Sequence, residues 1–262
     1  MAEEVSYHRR QLPEETCVSF SSAQGVIIFK RALRASTMGP YFALAEQFTT
    51  QAEPAYCGLA TLVMVLNAMA IDPKRVWKGV WRWFSEELLS CCKDIEEVKK
   101  EGISLAEFAR LARCNGAACD VVSGEDSAVD EFREAVLANA TGRHGDRGGP
   151  CCEYICCNYD RRALGQTGQG HFSPIAGYDE VEDLVLVLDV ARFKYPPHWV
   201  RLADLHLAMA ERGYALVSPG VDAVGGGGPA LGCEGGCLLE GYDREGRSLG
   251  GHHKKSCARC GR

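Results

Sequence analysis

A thiolate can attack a carbonyl carbon if an imidazole moves its proton and a carboxylate holds the imidazole, and Cys57, His171 and Asp189 supply those three groups in that chain order. Cys57 stands immediately before Gly58–Ile71, a run that is apolar nearly all round, which is the pattern of a helix buried in the middle of a domain, with Asp72-Pro73 expected to end it. The cysteine therefore falls in the helix's first turn, where unpaired backbone N–H groups and the positive dipole end favour thiolate over thiol. Pro54 keeps the chain leading into it extended. A small cysteine at the start of a buried helix needs no function by itself, because reduced cysteine is among the most commonly buried residues. Gln51, six residues earlier, adds what position alone lacks: an amide able to join the Cys57 N–H in holding the oxyanion of a tetrahedral intermediate.

The base and its carboxylate fall in a predicted hairpin. Gly170–Tyr178 and Leu184–Val190 read as two strands, with the charged segment Asp179–Asp183 turning between them. A turn centred near residue 180 sets His171 opposite Asp189, and directly opposed residues on an antiparallel pair have Cβ atoms about 4.5–5.5 Å apart on one face. That carboxylate would fix the imidazole tautomer and leave the other ring nitrogen for the Cys57 sulfur. Taken alone, an Asp among strand residues is as readily a structural acceptor.

The elements that must carry these residues are legible in outline. Ser104 and Glu107 have the spacing of a capping box ahead of the stripe Leu105, Phe108, Leu111 and Ala112, with Gly116 as a stop, which predicts a helix over 104–114. Further helices are predicted over 128–139, 23–34 and 40–48. Trp77, Trp81 and Trp83 read as core packing rather than recognition, because three indoles bury a large area. His8, His144, His198 and His206 carry no assigned role; the last two are read as lying near a surface helix.

Composition sets the outer limits. The 262 residues are 46% hydrophobic with a net charge of −6, enough for a sizeable core, and the cations are scattered, which excludes a nucleic-acid binder. No apolar run reaches the roughly 20 residues needed to span a bilayer, and MAEEVSYHRRQLPEE is charged where a signal peptide is apolar, so no membrane partner and a cytoplasmic location are expected. Fourteen cysteines in such a chain are expected to be reduced. Residues 1–219 read as one catalytic domain and 220–262, with four consecutive glycines, as a Gly- and Cys-rich linker and tail. In that tail Cys233, Cys237, Cys257 and Cys260 could offer four soft thiolates to Zn²⁺ or Cd²⁺. Cys91 and Cys92 are further metal candidates, whereas strand alternation would send the members of the pairs Cys151-Cys152 and Cys156-Cys157 to opposite faces.

Four stretches, Gln51–Gly58, Trp77–Phe84, Gly170–Pro174 and Asp189–Val200, resemble those of phytochelatin synthases, and the resemblance runs from about residue 7 to 219. It implies an α+β, papain-like cysteine protease fold, with a helical part that carries the Cys packed on an antiparallel sheet that carries His and Asp. It also implies γ-glutamylcysteine transfer from glutathione through a Cys57 thioester, with His171 as general acid/base, Asp189 as its orienter and Gln51 as oxyanion donor. No organic cofactor is implied. Cd²⁺ or Zn²⁺ would act as activator, mainly as its glutathione thiolate complex, and the partners would be glutathione, phytochelatin peptides and heavy-metal ions, a second copy of the chain also being admitted.

Glutathione carries two carboxylates, so fixed cations are expected along the cleft. Arg161, Arg192 and Lys194 are candidates, with Tyr195 and, beside the nucleophile, Tyr56. Two rival functions remain open at this point: hydrolysis of glutathione or its conjugates by the same triad, and non-enzymatic metal buffering by the cysteines.

Overall fold

The computed structural model describes residues 6–142 and 153–220. The predicted tail beyond residue 220, with Cys233, Cys237, Cys257 and Cys260, and the pair Cys151-Cys152 lie outside the described residues.

Among the described residues, seven α-helices and seven strands follow in the order β1 (Cys17–Ser19), α1 (Ala23–Arg34), α2 (Tyr41–Glu46), α3 (Cys57–Ala68), α4 (Ile95–Glu101), α5 (Leu105–Cys114), β2 (Ala117–Val122), α6 (Val129–Thr141), β3 (Tyr154–Asp160), β4 (Gly170–Asp179), β5 (Leu184–Val187), β6 (His198–Arg201), α7 (Leu202–Ala208) and β7 (Gly213–Pro219). The strands form one antiparallel sheet in the order β1-β6-β5-β4-β3-β7-β2. This is the α+β architecture expected: the cysteine's helix packs on the strand that carries the histidine. Because side chains alternate across a strand, the sheet feeds two cores. Tyr154 and Cys156 of β3 join the side holding α3 and α5, while Ile155, Cys157 and Tyr159 join the side holding α6 and α7. Adjacent Cys156 and Cys157 are thus buried in different cores, as alternation required, and cannot share an ion.

Helix α3 is buried from Gly58 to Asn67, as its composition demands, but stops at Ala68, three residues short of the expected end. The termination is a Schellman motif in which Ala70 takes φ +53°, the Ile71 N–H reaches the Leu66 carbonyl at 3.2 Å and the Ala70 N–H reaches that of Asn67 at 2.9 Å. Alanine in the left-handed position that glycine usually fills left no stop signal. Helix α5 starts on the predicted box, Ser104 Oγ accepting from the Glu107 N–H and the Glu107 carboxylate from the Ser104 N–H.

Two expectations are corrected. The tryptophans are not core: Trp77, Trp81 and Trp83 are all exposed, Trp81 by 71%. Their segment makes a tight turn at Gly79, closed by the Trp77 N–H on the Trp81 carbonyl, and a turn cannot aim three indoles at one core. Only Phe84 is buried, its backbone bonded in both directions to the Asn67 amide. The second correction is to the hairpin register: Asp179 faces Leu184 and Tyr178 faces Val185, a bulge intervenes, and Ile175 faces Val187, so the turn centres past residue 181. His171 in fact faces Tyr159 of β3, and Asp189 lies beyond the end of β5.

Candidate active site

Cys57 is the first residue of α3 and partly buried. The next residue allows the helix start to press against the sheet: a Cβ on Gly58 would meet Ile103 at 2.5 Å and the Phe172 ring at 3.3 Å. That approach brings Cys57 to β4, where the His171 side chain and the Phe172 backbone act on its sulfur. The Phe172 ring is in turn stacked on Phe108 of α5, centroids 5.0 Å apart.

His171 Nε2 lies 2.9 Å from Asp189 Oδ1, leaving Nδ1 for the cysteine. Asp189, 0% exposed, also accepts the Ala191 N–H at 2.8 Å and two bonds from Arg161 Nη2 at 2.9 and 2.7 Å. The expected contact therefore exists although the expected register does not, because Asp189 reaches His171 from the loop after β5.

The charges fit a thiolate and an imidazolium. Burial pushes the Cys57 thiol up, but the hydrogen bond and charge of His171, the Phe172 N–H and Arg161 outweigh it, and its pKa falls below the usual value. Burial depresses His171, yet Asp189 reverses the effect and leaves it raised. Asp189 itself is held well below the carboxylate range: burial acts upward, and His171 and Arg161 more than cancel it.

Behind Asp189 runs a polar ladder that spacing did not reveal. Arg161 Nη1 donates to Gln166 Oε1 at 2.5 Å, Gln166 Nε2 lies 3.0 Å from His198 Nε2, and His198 Nδ1 lies 2.9 Å from the Pro196 carbonyl. A carbonyl only accepts, so His198 carries its proton on Nδ1 and takes the Gln166 proton on Nε2. It is neutral, in keeping with a pKa lowered first by burial. His198 is thus buried in β6, immediately ahead of α7.

Several candidate substrate residues turn out to be braces. Arg161 is 2% exposed and spends its guanidinium on Asp189 and Gln166, so it has no fork for a substrate carboxylate. Tyr195 is buried beneath it, ring centroid 5.2 Å from the Arg161 Cζ, and its hydroxyl accepts the Thr167 N–H. Tyr56 is buried with its hydroxyl on the Ile95 carbonyl at 3.4 Å. Gln51 gives both amide protons to the Glu53 and Pro54 carbonyls, at 2.8 and 2.9 Å, so it does not present the oxyanion donor expected of it and instead ties the loop ahead of Cys57. Arg192 is exposed with its guanidinium 4.6 Å over the Phe48 ring.

Lys194 lies beside an opening. It lines a cavity of about 390 Å³ with Tyr7, Arg9, Arg10, Thr167 and Phe193. Arg9 and Arg10 were missed in the sequence because a basic pair in a charged N-terminal stretch looks solvated; the Arg10 N–H bonds the Lys194 carbonyl at 2.9 Å and brings them there. Cys91 and Cys92 lie with their sulfurs 3.5 Å apart and are joined by Cys114, which sequence reasoning had passed over.

Glu86 holds the other side of the loop ahead of Cys57, accepting the Ala52 N–H at 3.1 and 3.2 Å. Burial, with Glu87 and Glu53 nearby, raises its pKa to about 7. A carboxyl raised on folding contributes stability that is present at low pH and lost as pH rises through that value. Glu86→Gln is therefore expected to raise Tm near pH 8 by about 2–4 °C after allowance for solvent screening, and to leave it nearly unchanged near pH 4. Thermal unfolding at both values checks this, and an equal shift at both would contradict it.

The described residues hold no helix long and apolar enough to cross a membrane. The family model for phytochelatin synthase matches residues 7–214. Curated relatives include glutathione γ-glutamylcysteinyltransferase 1 of Arabidopsis thaliana, 47% identical over 222 residues that cover 82% of this chain and 44% of that one, and glutathione γ-glutamylcysteinyltransferase 3 of Lotus japonicus, 45% identical with 80% and 44% covered. The glutathione γ-glutamylcysteinyltransferase of Schizosaccharomyces pombe is 42% identical, with 82% and 51% covered. The chain spans about half the length of these relatives. A solved double glycine motif protease from an AMS/PCAT transporter, in complex with the leader peptide, aligns with a TM-score of 0.39 at 16% identity over 65% of this chain and 89% of that one. Matched by one family model along nearly all its described length and by relatives of that same kind at more than two fifths identity, the chain belongs to the phytochelatin synthase family.

Proposed function

We propose that this protein transfers γ-glutamylcysteine from one glutathione to the α-amine of another, or to a growing phytochelatin, through a thioester on Cys57. The observation that carries the reading is the convergence of Cys57, at the start of a buried helix, on the strand of His171, whose Nε2 lies 2.9 Å from Asp189 Oδ1. The Cys57 thiolate attacks the carbonyl of the Cys-Gly amide. N–H groups of the first turn of α3 take up the oxyanion in place of the Gln51 side chain. His171 gives its proton to the departing nitrogen, the C–N bond breaks and glycine leaves. The incoming amine then loses a proton to His171 as it attacks the thioester, and the C–S bond breaks to regenerate the thiolate.

The cavity lined by Arg9, Arg10 and Lys194 supports binding of an anionic peptide, since three cations converge there beside the Arg161–Asp189 pair: Gly168 packs against both the Lys194 ammonium and the Arg161 stem. Cd²⁺ or Zn²⁺ enters as its glutathione thiolate complex, a substrate rather than a resident cofactor, and products of that kind serve heavy-metal detoxification. A reducing compartment such as the cytoplasm suits a nucleophile that must stay a thiolate.

The test is incubation with glutathione and Cd²⁺, with glycine and peptides followed by mass spectrometry. Products longer by γ-glutamylcysteine units are expected. Glycine with γ-glutamylcysteine alone would make the enzyme a peptidase, and neither product would leave metal binding as the remaining reading.

A further inference from the structure

Cys91 and Cys92 lie in the segment between the short helical turn Glu86–Leu88 and α4, and Cys114 ends α5. Their sulfurs converge: Cys91 to Cys92 is 3.5 Å, Cys92 to Cys114 is 3.1 Å, and all three lie within 4.8 Å of one another. Three thiolates on one tetrahedral zinc, at Zn–S lengths near 2.3 Å, stand about 3.8 Å apart. The trio needs only small side-chain movements to reach that spacing. All three are partly exposed, so an ion can enter, unlike Cys156 and Cys157, which are sealed in the cores. The Asn115 amide lies 3.7 Å from Cys91 Sγ as a donor, a contact that favours the ionised sulfur, and its oxygen is held by Arg75 Nη2 at 2.8 Å. A disulfide would use two of these sulfurs and leave the convergence of the third without a purpose.

We propose that Cys91, Cys92 and Cys114 bind one soft divalent cation, Cd²⁺ or Zn²⁺, as a trithiolate. Three S–H protons are lost to solvent as three metal–sulfur bonds form, and no oxidant or reductant takes part. None of these cysteines belongs to the Cys57–His171–Asp189 line, but the segment that bears two of them grips the nucleophile's loop at both ends. Glu86 holds the Ala52 N–H, and the Ile95 carbonyl takes the Tyr56 hydroxyl. A cation joining that segment to the end of α5, which packs on α3, closes the chain between residues 91 and 114 into a ring and steadies the loop that delivers Cys57.

The test needs no catalysis, so its outcome is separate from that of the transfer reaction. The full reduced chain is treated with iodoacetamide with and without an equivalent of Cd²⁺, and labelling is read cysteine by cysteine from its peptides. Joint protection of Cys91, Cys92 and Cys114, with labelling slowed at least about tenfold, is the expected result. In parallel, Cys114→Ser is expected to lose an equivalent of Cd²⁺ in a titration of thiolate-to-metal charge-transfer absorption while unfolding at a temperature close to that of the metal-free parent. Equal labelling of the three with and without Cd²⁺ overturns the proposal, as does an unchanged Cd²⁺ stoichiometry in Cys114→Ser. So does a Cys92–Cys114 disulfide formed in place of metal binding, visible as a mass lower by a pair of hydrogens.

Discussion

Cys57→Ala is expected to lower glycine release and dipeptide transfer by about 10⁵–10⁶-fold, the scale on which removal of a nucleophile from a triad is felt, while changing Tm little. The side chain is partly exposed and loses a single sulfur, so folding has little at stake, whereas no thioester can form without it. The thiol's own titration gives a second reading of the same site. In the parent, alkylation of Cys57 is expected to persist well below the ordinary thiol pKa, because His171 and the Phe172 N–H lower it against the upward pull of burial. Without the imidazole, burial is opposed only by the weaker remaining partners, so His171→Ala should move the alkylation midpoint upward by at least about one pH unit. A midpoint indifferent to His171 would mean that the two groups do not form an ion pair, and the catalytic reading of the line would fail with it.

Where an element's pattern and its position in the fold follow from one cause, the sequence was readable. The run after Cys57 is apolar on every side because α3 is surrounded, and the same fact places its first turn deep enough for a reactive thiol to meet the sheet. The capping box of α5 is local chemistry and appears where its residues stand. The nearness of His171 to Asp189 was foreseen for a reason only half right. A hairpin joins them, but a bulge between Ile175 and Gly177 shifts the register, and the carboxylate arrives from a loop. Nothing in the alternation of strand residues signals a bulge.

What spacing could not show is which polar groups satisfy one another inside. Arg161 was read as a clamp for a carboxylate, and it does clamp one, but it is the protein's own Asp189. His198 looked peripheral because a lone histidine has no periodicity; its burial follows from β6 lying between β1 and β5. Cys114 stood apart from Cys91 and Cys92 in sequence because the fold, not the chain, brings the end of α5 back to them. The exposed tryptophans err the other way: their area argued for a core, but a turn at Gly79 holds them out.

Arg161→Met is expected to cost about 3–5 kcal/mol of stability at neutral pH, the largest loss foreseen for any single change outside the apolar cores. Both members of the pair are buried, so removing the guanidinium strands an ionised Asp189 with the His171 ring and the Ala191 N–H as its remaining partners, and frees Gln166 and His198 from the ladder's end. The sign with pH follows from Asp189. A carboxylate depressed on folding contributes stability that is present above its unfolded pKa and lost as pH falls below it. The deficit of Arg161→Met should accordingly be greatest near neutrality and shrink as the medium is taken down toward pH 3. Arg161→Lys keeps the charge without the fork and should recover only part of the loss, and Arg161→Met combined with Asp189→Asn should be less destabilised than the sum of the two single changes, because the stranded charge is gone. Denaturant unfolding of the parent and these four variants, Asp189→Asn among them, across pH measures each of these. If Arg161→Met unfolds like the parent while glutathione binding weakens, the guanidinium must turn outward in solution, and it would return to the substrate-binding role that its position ten residues before His171 first suggested.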